Sequence, residues 1–335
     1  MSIPADEAAL EWGSAELALL SGRSKAFRRF LRDKSAIGGT LVLLAVIVLA
    51  LLASHLAPYD PTKTSFGNRF APASSAHWLG TDNLGRDVLS RLIYGARLSL
   101  GMAVSATFGI TVLGVVLGLA AATFGRAVDT LIMRVVDVLL ALPTLVIALV
   151  VVGILGRGIG NVVIALILVG WPNYARLVRG IAISIGQREF VEAARGLGAT
   201  RRRIAALEIA PNVVGTVVVL STLDLGRILL AVSGLSFLGF GVALPTPEWG
   251  AMIAEARAYL DRAPQLLIYP GLAITLVVLC FNLAGDGLRD CLDPKVLGVT
   301  RRLGAKRRGR RAAGRRPAHQ RAGEQGRDAS STDLR

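Results

Sequence analysis

Long runs of apolar residues alternate with polar segments along this chain. Each run approaches or exceeds the roughly 20 residues that an α-helix needs to cross a bilayer. The pattern predicts six membrane-spanning helices, at about residues 37–56, 98–124, 135–155, 159–177, 211–235 and 266–283. Because a helix satisfies its own backbone hydrogen bonds inside lipid, we expect an all-α, polytopic membrane protein.

Basic residues indicate the orientation of these spans. Lys and Arg cluster before the first run, between the fourth and fifth runs, and after the last. Since basic loops stay on the cytoplasmic side, we expect both termini in the cytoplasm. The predicted parts are a cytoplasmic segment 1–36, a first helix 37–56, an extracytoplasmic segment 57–97, a permeation core 98–297 with a cytoplasmic loop 186–210, and a disordered basic cytoplasmic tail 298–335.

The predicted extracytoplasmic segment 57–97 does not follow the rule that basic loops are cytoplasmic. It contains Lys63, Arg69, Arg86, Arg91 and Arg97, although we place it outside. Its acidic residues compensate little, because acidic residues contribute little to orientation. We keep six spans because the densest basic clusters all fall on the cytoplasmic side.

Composition supports the membrane class. Hydrophobic residues make up 53% of the 335 residues, which is more than a soluble domain usually contains. Much of the net charge of +15 lies in the tail, where Arg alternates with Gly, Ala, Ser and Pro. A tail of this kind cannot form an apolar core, and we expect it to contact membrane lipid headgroups rather than nucleic acid.

Within the apolar runs, small residues and proline stand out. Gly114 and Gly118 form a small-xxx-small pair, which predicts a closely packed neighbouring helix. Pro143 lies near the middle of the third run and predicts a bend there.

Charged residues also occur inside the apolar runs. Asp224 and Arg227 lie at i, i+3 spacing in the fifth run, a depth at which charges usually face the interior of a helix bundle. Two roles are open for them: a self-neutralising structural pair, which we favour, and contact with a solute on its pathway. Asp137, in the third run, is expected to pair with Arg134.

Loop 186–210 contains the most informative pattern. Glu192, Ala193 and Ala194 suit a short helix, which Gly198 can end in the left-handed conformation. Thr200 is a suitable N-cap for a second short helix. Proline favours the first turn of a helix, so Pro211 is expected to begin the fifth span.

This loop resembles the EAA loop of bacterial ABC importer permeases. The shared spacing is Glu-Ala-Ala, three residues, Gly, and then Ile-x-Pro eleven residues later. Further stretches resemble the second permease subunit of the dipeptide, oligopeptide and nickel importers. They are 80–87, 171–179, 235–239 with 247–250, and 281–290, and the resemblance covers roughly residues 25–298.

The resemblance implies an ABC type I importer permease fold, with a coupling helix between the fourth and fifth spans that docks on an ATPase. The residues that it assigns to coupling are Glu192, Ala193, Ala194, Gly198, Thr200, Ile209 and Pro211. It implies a homologous partner permease, two ATP-binding ATPase subunits and an extracytoplasmic solute-binding protein, in the plasma (inner) membrane of a bacterium. The expected solute is a peptide or a related compound, such as a nickel chelate.

The sequence offers no catalytic chemistry of its own. Gly80 and Gly85 lack the Lys and Ser/Thr of a phosphate-binding loop, so ATP has to be hydrolysed by another chain. The three scattered histidines and the cysteines Cys280 and Cys291 suggest neither a metal site nor a cofactor.

The alternative is an ion-coupled secondary transporter or channel. Such a protein usually contains internal repeats and ion-binding residues near the membrane midplane, and this reading leaves the pattern of loop 186–210 unexplained. A membrane anchor with a nucleic-acid-binding tail would not need several pore-like helices.

Overall fold

The structure, a computed structural model, describes residues 33–292. Those residues up to Arg289 belong to one compact unit. The basic tail 298–335 and residues 1–32 of the predicted N-terminal segment lie outside the described range. Inside it the regular structure is helical, apart from one isolated bridge between Thr81 and Asp87. The predicted all-α class is confirmed.

Helices are labelled in chain order. They are α1 (Lys34–Leu51), α2 (Ala53–Leu56), α3 (Val88–Thr123), α4 (Arg126–Leu140), α5 (Thr144–Leu155), α6 (Ile159–Gly186), α7 (Glu189–Gly196), α8 (Arg201–Phe237), α9 (Trp249–Ala256) and α10 (Gln265–Leu292). Helix α8 includes a π-helical stretch, Ile204–Ile209, and short 3₁₀ turns lie at Phe66–Asn68 and Arg257–Tyr259.

Helices α1, α3, α6, α8 and α10 are the five in the described range that are each long and apolar enough to cross a membrane. Helices α4 and α5 qualify only as a pair, which would make a sixth span, and they are bent by 95°. The predicted third span is therefore two helices that meet at a sharp bend, and not one bent helix. Pro143 has no N–H and disfavours a helical conformation at Leu142, so α4 ends before it and α5 starts after it.

Two other helices begin earlier than predicted. Helix α3 starts at Val88 rather than near residue 98, because Asp87 Oδ2 caps it by accepting a hydrogen bond from Ser90 N at 2.8 Å. Helix α8 as a whole starts at Arg201, and its long α-helical part, Ala210–Phe237, has Pro211 in its first turn as expected. The N–H of Ala210 donates to the carbonyl of Ala205 in the π-helical stretch, so the helix widens just before the proline that lacks a donor.

Close packing of α3 on α6 forms the centre of the fold. A Cβ on Gly114 would lie 2.3 Å from the Cβ of Tyr174, and one on Gly118 would lie 2.7 Å from the carbonyl oxygen of Ala175. Neither position has room for a side chain. The predicted small-residue contact is confirmed, and α8 packs beside α3 on the same core.

Candidate functional site

Loop 186–210 consists of helix α7, a turn and the beginning of α8. Helix α7 has Glu189 and Glu192 in its first turn and Arg195 in its last, which matches the polarity of the helix dipole. Val191, on its inner side, packs into the main apolar core. The loop is therefore a folded element attached to the bundle.

The turn between α7 and α8 forms as the sequence predicts. Gly198 has φ = +84°, the left-handed conformation that ends a helix. The Thr200 Oγ1 atom accepts a hydrogen bond from Arg203 N at 3.3 Å and caps α8. The expected second short helix forms at Arg201–Arg203 and continues through the π-helical stretch into the rest of α8, with Ile209 buried and Pro211 exposed.

One face of α7 is exposed and partly apolar. Phe190, Ala193 and Leu197 lie at i, i+3 and i+7, which places them on the same side of the helix. Leu197 is 90% exposed and Phe190 is 42% exposed. We name the surface formed by Phe190, Ala193 and Leu197 the α7 face; Ala194, next to it, is half-buried, and Glu192 is exposed on another side of the helix. Large apolar side chains that are left in solvent next to small ones are typical of a contact surface.

Asp224 and Arg227 form the expected pair in α8. The Arg227 Nε atom lies 3.2 Å from Asp224 Oδ1, and the Arg227 side chain is 61% exposed within this chain. One turn earlier, Ser221 Oγ lies 3.1 Å from Thr111 Oγ1 of α3. The pair thus lies at the surface of the chain and not in its apolar core.

We expected Asp137 to pair with Arg134. Instead it pairs with Arg176 of α6, and Arg176 Nη2 lies 2.5 Å from Asp137 Oδ1. A second pair joins Asp129 and Arg179, with Arg179 Nη2 donating to Asp129 Oδ2 at 2.7 Å. Both arginines belong to the 171–179 stretch. The prediction failed because the packing of α6 against α4 brings a partner from another helix, which spacing along one helix does not reveal.

At the opposite end of α3 from loop 186–210, three buried charged residues and the half-buried Glu255 form one group, which we name the ion-pair cluster: Asp82, Arg86, Arg91 and Glu255. Arg86 lies 2.6 Å from both Asp82 Oδ2 and Glu255 Oε2. Arg91 joins the same two oxygens, at 3.0 and 3.1 Å. Each arginine is 2% exposed or less. Each positive charge is therefore paired with both carboxylates.

Burial is the dominant influence on Glu255. It raises the pKa of this carboxyl group, while the charge of Arg86 and its hydrogen bond act in the opposite direction. Its second oxygen, Oε1, is buried without a hydrogen-bond partner among the described residues. The cluster thus contains one carboxylate whose charged form is only partly compensated.

Glycines allow the loop around the cluster to fold tightly. Gly80 and Gly85 have φ values of +76° and +72°. A Cβ on Gly85 would lie 1.9 Å from the carbonyl oxygen of Ser65, so no side chain fits there. The predicted turn in stretch 80–87 is confirmed, but it also holds two buried charged residues of the cluster.

Glu248 is a further buried acid at this end. It is fully buried and caps α9 by accepting hydrogen bonds from Gly250 N at 3.0 Å and Ala251 N at 2.8 Å. It also accepts one from Ser99 Oγ of α3, at 2.9 Å. Sequence reasoning assigned no role to Glu248 or Glu255, although Glu248 directly precedes a helix and is therefore a recognisable N-cap.

Comparison with known proteins identifies related chains. Residues 114–298 match the family described as binding-protein-dependent transport system inner membrane component. Residues 23–73 match the N-terminal TM domain of oligopeptide transport permease C. Together the two matches cover α1, the last part of α3 and the helices that follow it.

Curated relatives cover most of the chain. It is 41% identical to the dipeptide transport system permease protein DppC of Alkalihalophilus pseudofirmus, over 81% of this chain and 90% of that protein. It is 43% identical to the nickel transport system permease protein NikC of Escherichia coli K12, over 80% and 97%. It is 45% identical to the glutathione transport system permease protein GsiD of Escherichia coli O6:K15:H31, over 81% and 90%.

Among solved structures, the fold is similar to a chain of the MetNI methionine ABC transporter in an inward-facing conformation. The TM-score is 0.51 at 17% identity, and the match covers 61% of this chain and 98% of that one. At this identity the likeness concerns the fold alone. It confirms the predicted type I importer permease fold.

Proposed function

Because the chain belongs to the binding-protein-dependent transport system inner membrane components, the permeases of ABC importers, we propose that it forms half of a solute pathway with a homologous partner permease. An extracytoplasmic binding protein delivers the solute, and two separate ATPase subunits hydrolyse ATP. The chain is a multi-pass protein of the bacterial inner membrane. In our proposal both termini and loop 186–210 are cytoplasmic, and the ion-pair cluster is extracytoplasmic.

The α7 face is the observation that supports coupling to the ATPases. Its small Ala193 and the half-buried Ala194 next to it leave a low surface that a groove on another protein can accept, and Phe190 and Leu197 supply apolar area. Glu192, exposed on another side of α7, is available for an ion pair. Gly198 and Thr200 fix the angle at which α7 leaves α8.

The continuity of α8 suggests how movement is transmitted. Ile209 is buried where the loop enters this helix, and Pro211 follows within the same helix. Because α8 continues without a break to Phe237, a displacement of α7 by closing ATPase subunits moves the segment that contains Asp224 and Arg227. Such rocking alternates access to a central path.

Asp224 and Arg227 are the proposed charged residues beside this path. A charge pair at the surface of a membrane helix is costly against lipid, so we place it facing the partner permease or a water-filled path. A structural pair remains our favoured role, and contact with the ends of a zwitterionic solute is the other. Exchanging the charges, Asp224→Arg with Arg227→Asp, should preserve transport if the pair is structural and abolish it if the residues bind solute.

The proposed solute is a peptide or a related compound. The three curated relatives are named for dipeptide, nickel and glutathione transport. Since the binding protein supplies most of the selectivity, uptake assays need the cognate binding protein. Family membership favours this function over an ion-coupled transporter or channel.

Co-purification with the ATPase subunits tests the proposed coupling. The variant Glu192→Arg with Ala194→Trp should insert normally, lose the ATPase and stop solute uptake. Arg202→Gln, in the same loop and also exposed, is the control and should retain both. If the ATPase remains bound and solute still stimulates hydrolysis, the coupling assignment is wrong.

A further inference from the structure

A cavity of about 620 Å³ lies where loop 186–210 meets the adjoining ends of α3 and α6. Its polar side includes Thr123, Gly125, Gly186, Gln187, Arg195 and Arg201. Ile183, Ile204 and Ile209 supply an apolar side. This volume is within the range of small-molecule sites, and the cavity lies about the length of α3 away from the ion-pair cluster.

Two arginines turn toward the helix ends at this cavity. The Arg195 Nη2 atom lies 3.7 Å from the position that a Cβ on Gly186 would occupy. The Arg201 Nη1 atom lies 3.5 Å from the corresponding position on Gly125. The missing side chains at the two glycines leave room for both guanidinium groups.

The described part of the chain provides no ion-pair partner for either arginine, Arg195 or Arg201. Asp129, in the first turn of α4, is bound by Arg179. The cavity therefore combines two guanidinium groups that are not ion-paired among residues 33–292 with a threonine, a glutamine and an apolar wall.

We propose that this cavity binds a phosphate group, held by Arg195 and Arg201. A guanidinium group matches phosphate oxygens with two parallel hydrogen bonds, and this geometry favours Arg over Lys. The headgroup of an anionic phospholipid and a soluble phosphate share this chemistry. The isoleucine wall suits the glycerol and acyl portion of a lipid. The site depends on this chain's own residues and not on the proposed ATPase coupling.

The occupant would join two parts of the chain. Arg195 and Arg201 belong to loop 186–210, whereas Thr123 belongs to the end of α3 and Ile183 to the last turn of α6. A bound phosphate therefore restrains the loop against the bundle.

Native mass spectrometry of the purified full-length chain tests the site. The delipidated protein is titrated separately with phosphatidylglycerol, phosphatidylcholine and inorganic phosphate. The test variant is Arg195→Gln with Arg201→Gln. The matched control is Arg202→Gln with Arg203→Gln, which removes the same charge from neighbouring exposed residues that do not line the cavity.

We expect the test variant to lose one phosphatidylglycerol site, with affinity reduced roughly tenfold or more, while the control keeps it. Phosphatidylcholine should bind all three proteins equally. If the substitutions weaken binding of inorganic phosphate and not of phosphatidylglycerol, the site still holds phosphate and its source is soluble. If the test variant and the control bind both anions equally well, the proposal is wrong.

Discussion

Charged residues near the two ends of α3 differ in burial and in ion pairing. In the ion-pair cluster, Arg86 and Arg91 are buried and each contacts two carboxylates. In loop 186–210, Glu192 and Arg195 are exposed, and neither forms an ion pair inside the described part of the chain. Buried charges require partners within the fold, because an unpaired one is costly. Exposed charges without partners remain available to another molecule.

Structural contacts account for three of the five basic residues that opposed the predicted orientation, Arg69, Arg86 and Arg91. Arg86 and Arg91 are neutralised by Asp82 and Glu255. The guanidinium carbon of Arg69 lies 4.7 Å from the centre of the Phe66 ring. Positive charge in segment 57–97 thus stabilises a folded loop, and it need not report the side of the membrane.

The largest expected effect is at the cluster. Arg86→Met leaves Asp82 and Glu255 with one arginine between them, and should lower the free energy of unfolding by about 3–5 kcal/mol. Thermal unfolding of the purified protein in detergent measures this. Arg202→Gln, in the loop, should change stability by less than about 0.5 kcal/mol. If both variants lowered the free energy of unfolding equally, the ion-pair cluster and loop 186–210 would not differ in how much their charges contribute to stability.

A smaller effect is expected at Glu248. Replacement by Ala removes the acceptor for Gly250 N, Ala251 N and Ser99 Oγ, and should cost roughly 2 kcal/mol. Glu248→Gln retains one acceptor oxygen and should cost less, as thermal unfolding can show. Because Gln has nearly the same volume as Glu, the same loss in both variants would mean that the intact carboxylate, and not the retained acceptor oxygen, determines stability there.

Glu255 should make stability depend on pH. Burial raises its pKa above the usual 4.5, so the folded protein holds this proton more tightly than the unfolded chain. The resulting stabilisation is complete at a pH below the pKa that Glu255 has in the unfolded chain. It is lost as the pH rises through the higher pKa that Glu255 has in the folded protein. Glu255→Gln should therefore flatten the fall in unfolding free energy above pH 4.5. A parallel pH profile in wild type and variant would contradict the raised pKa.

The smallest effect on global stability is expected at Gly198. A Cβ there meets no atom within 4 Å, so Gly198→Ala is opposed only by its φ of +84°, a cost of about 1 kcal/mol. Because the turn can open locally, global unfolding should hardly change, whereas affinity for the ATPase should fall about fivefold. Gly196→Ala, in helical conformation and equally unobstructed, is the control and should bind normally. Equal binding of both variants would show that the turn does not set the position of α7.

Local sequence patterns predicted local structure well. The apolar runs, the cap at Thr200, the left-handed Gly198 and the pair Asp224–Arg227 involve residues close together in the chain. Each is determined by helix periodicity or by the conformational preference of one residue, and a single sequence displays both.

Contacts between distant segments were not predictable in the same way. Arg86 and Glu255 are separated by 169 positions, and no local pattern pairs them. The available signal was that Arg86 and Arg91 lie in a segment that does not follow the charge rule. Such cations need acids nearby if they are buried. The arginine-lined cavity also requires the fold, because Gly125 and Arg201 meet only when α4 and α8 start beside each other.

Hydrogen–deuterium exchange of the assembled transporter, with and without ATP, tests the central claim most directly. We predict that the ATPase subunits protect residues 189–198 relative to the permease pair alone, and that ATP changes this protection. Exchange in residues 80–91 should remain slow in every state. If the loop exchanges equally fast with and without the ATPase subunits, it is not the coupling element. If residues 80–91 respond to ATP as strongly as the loop does, the two regions do not have separate roles.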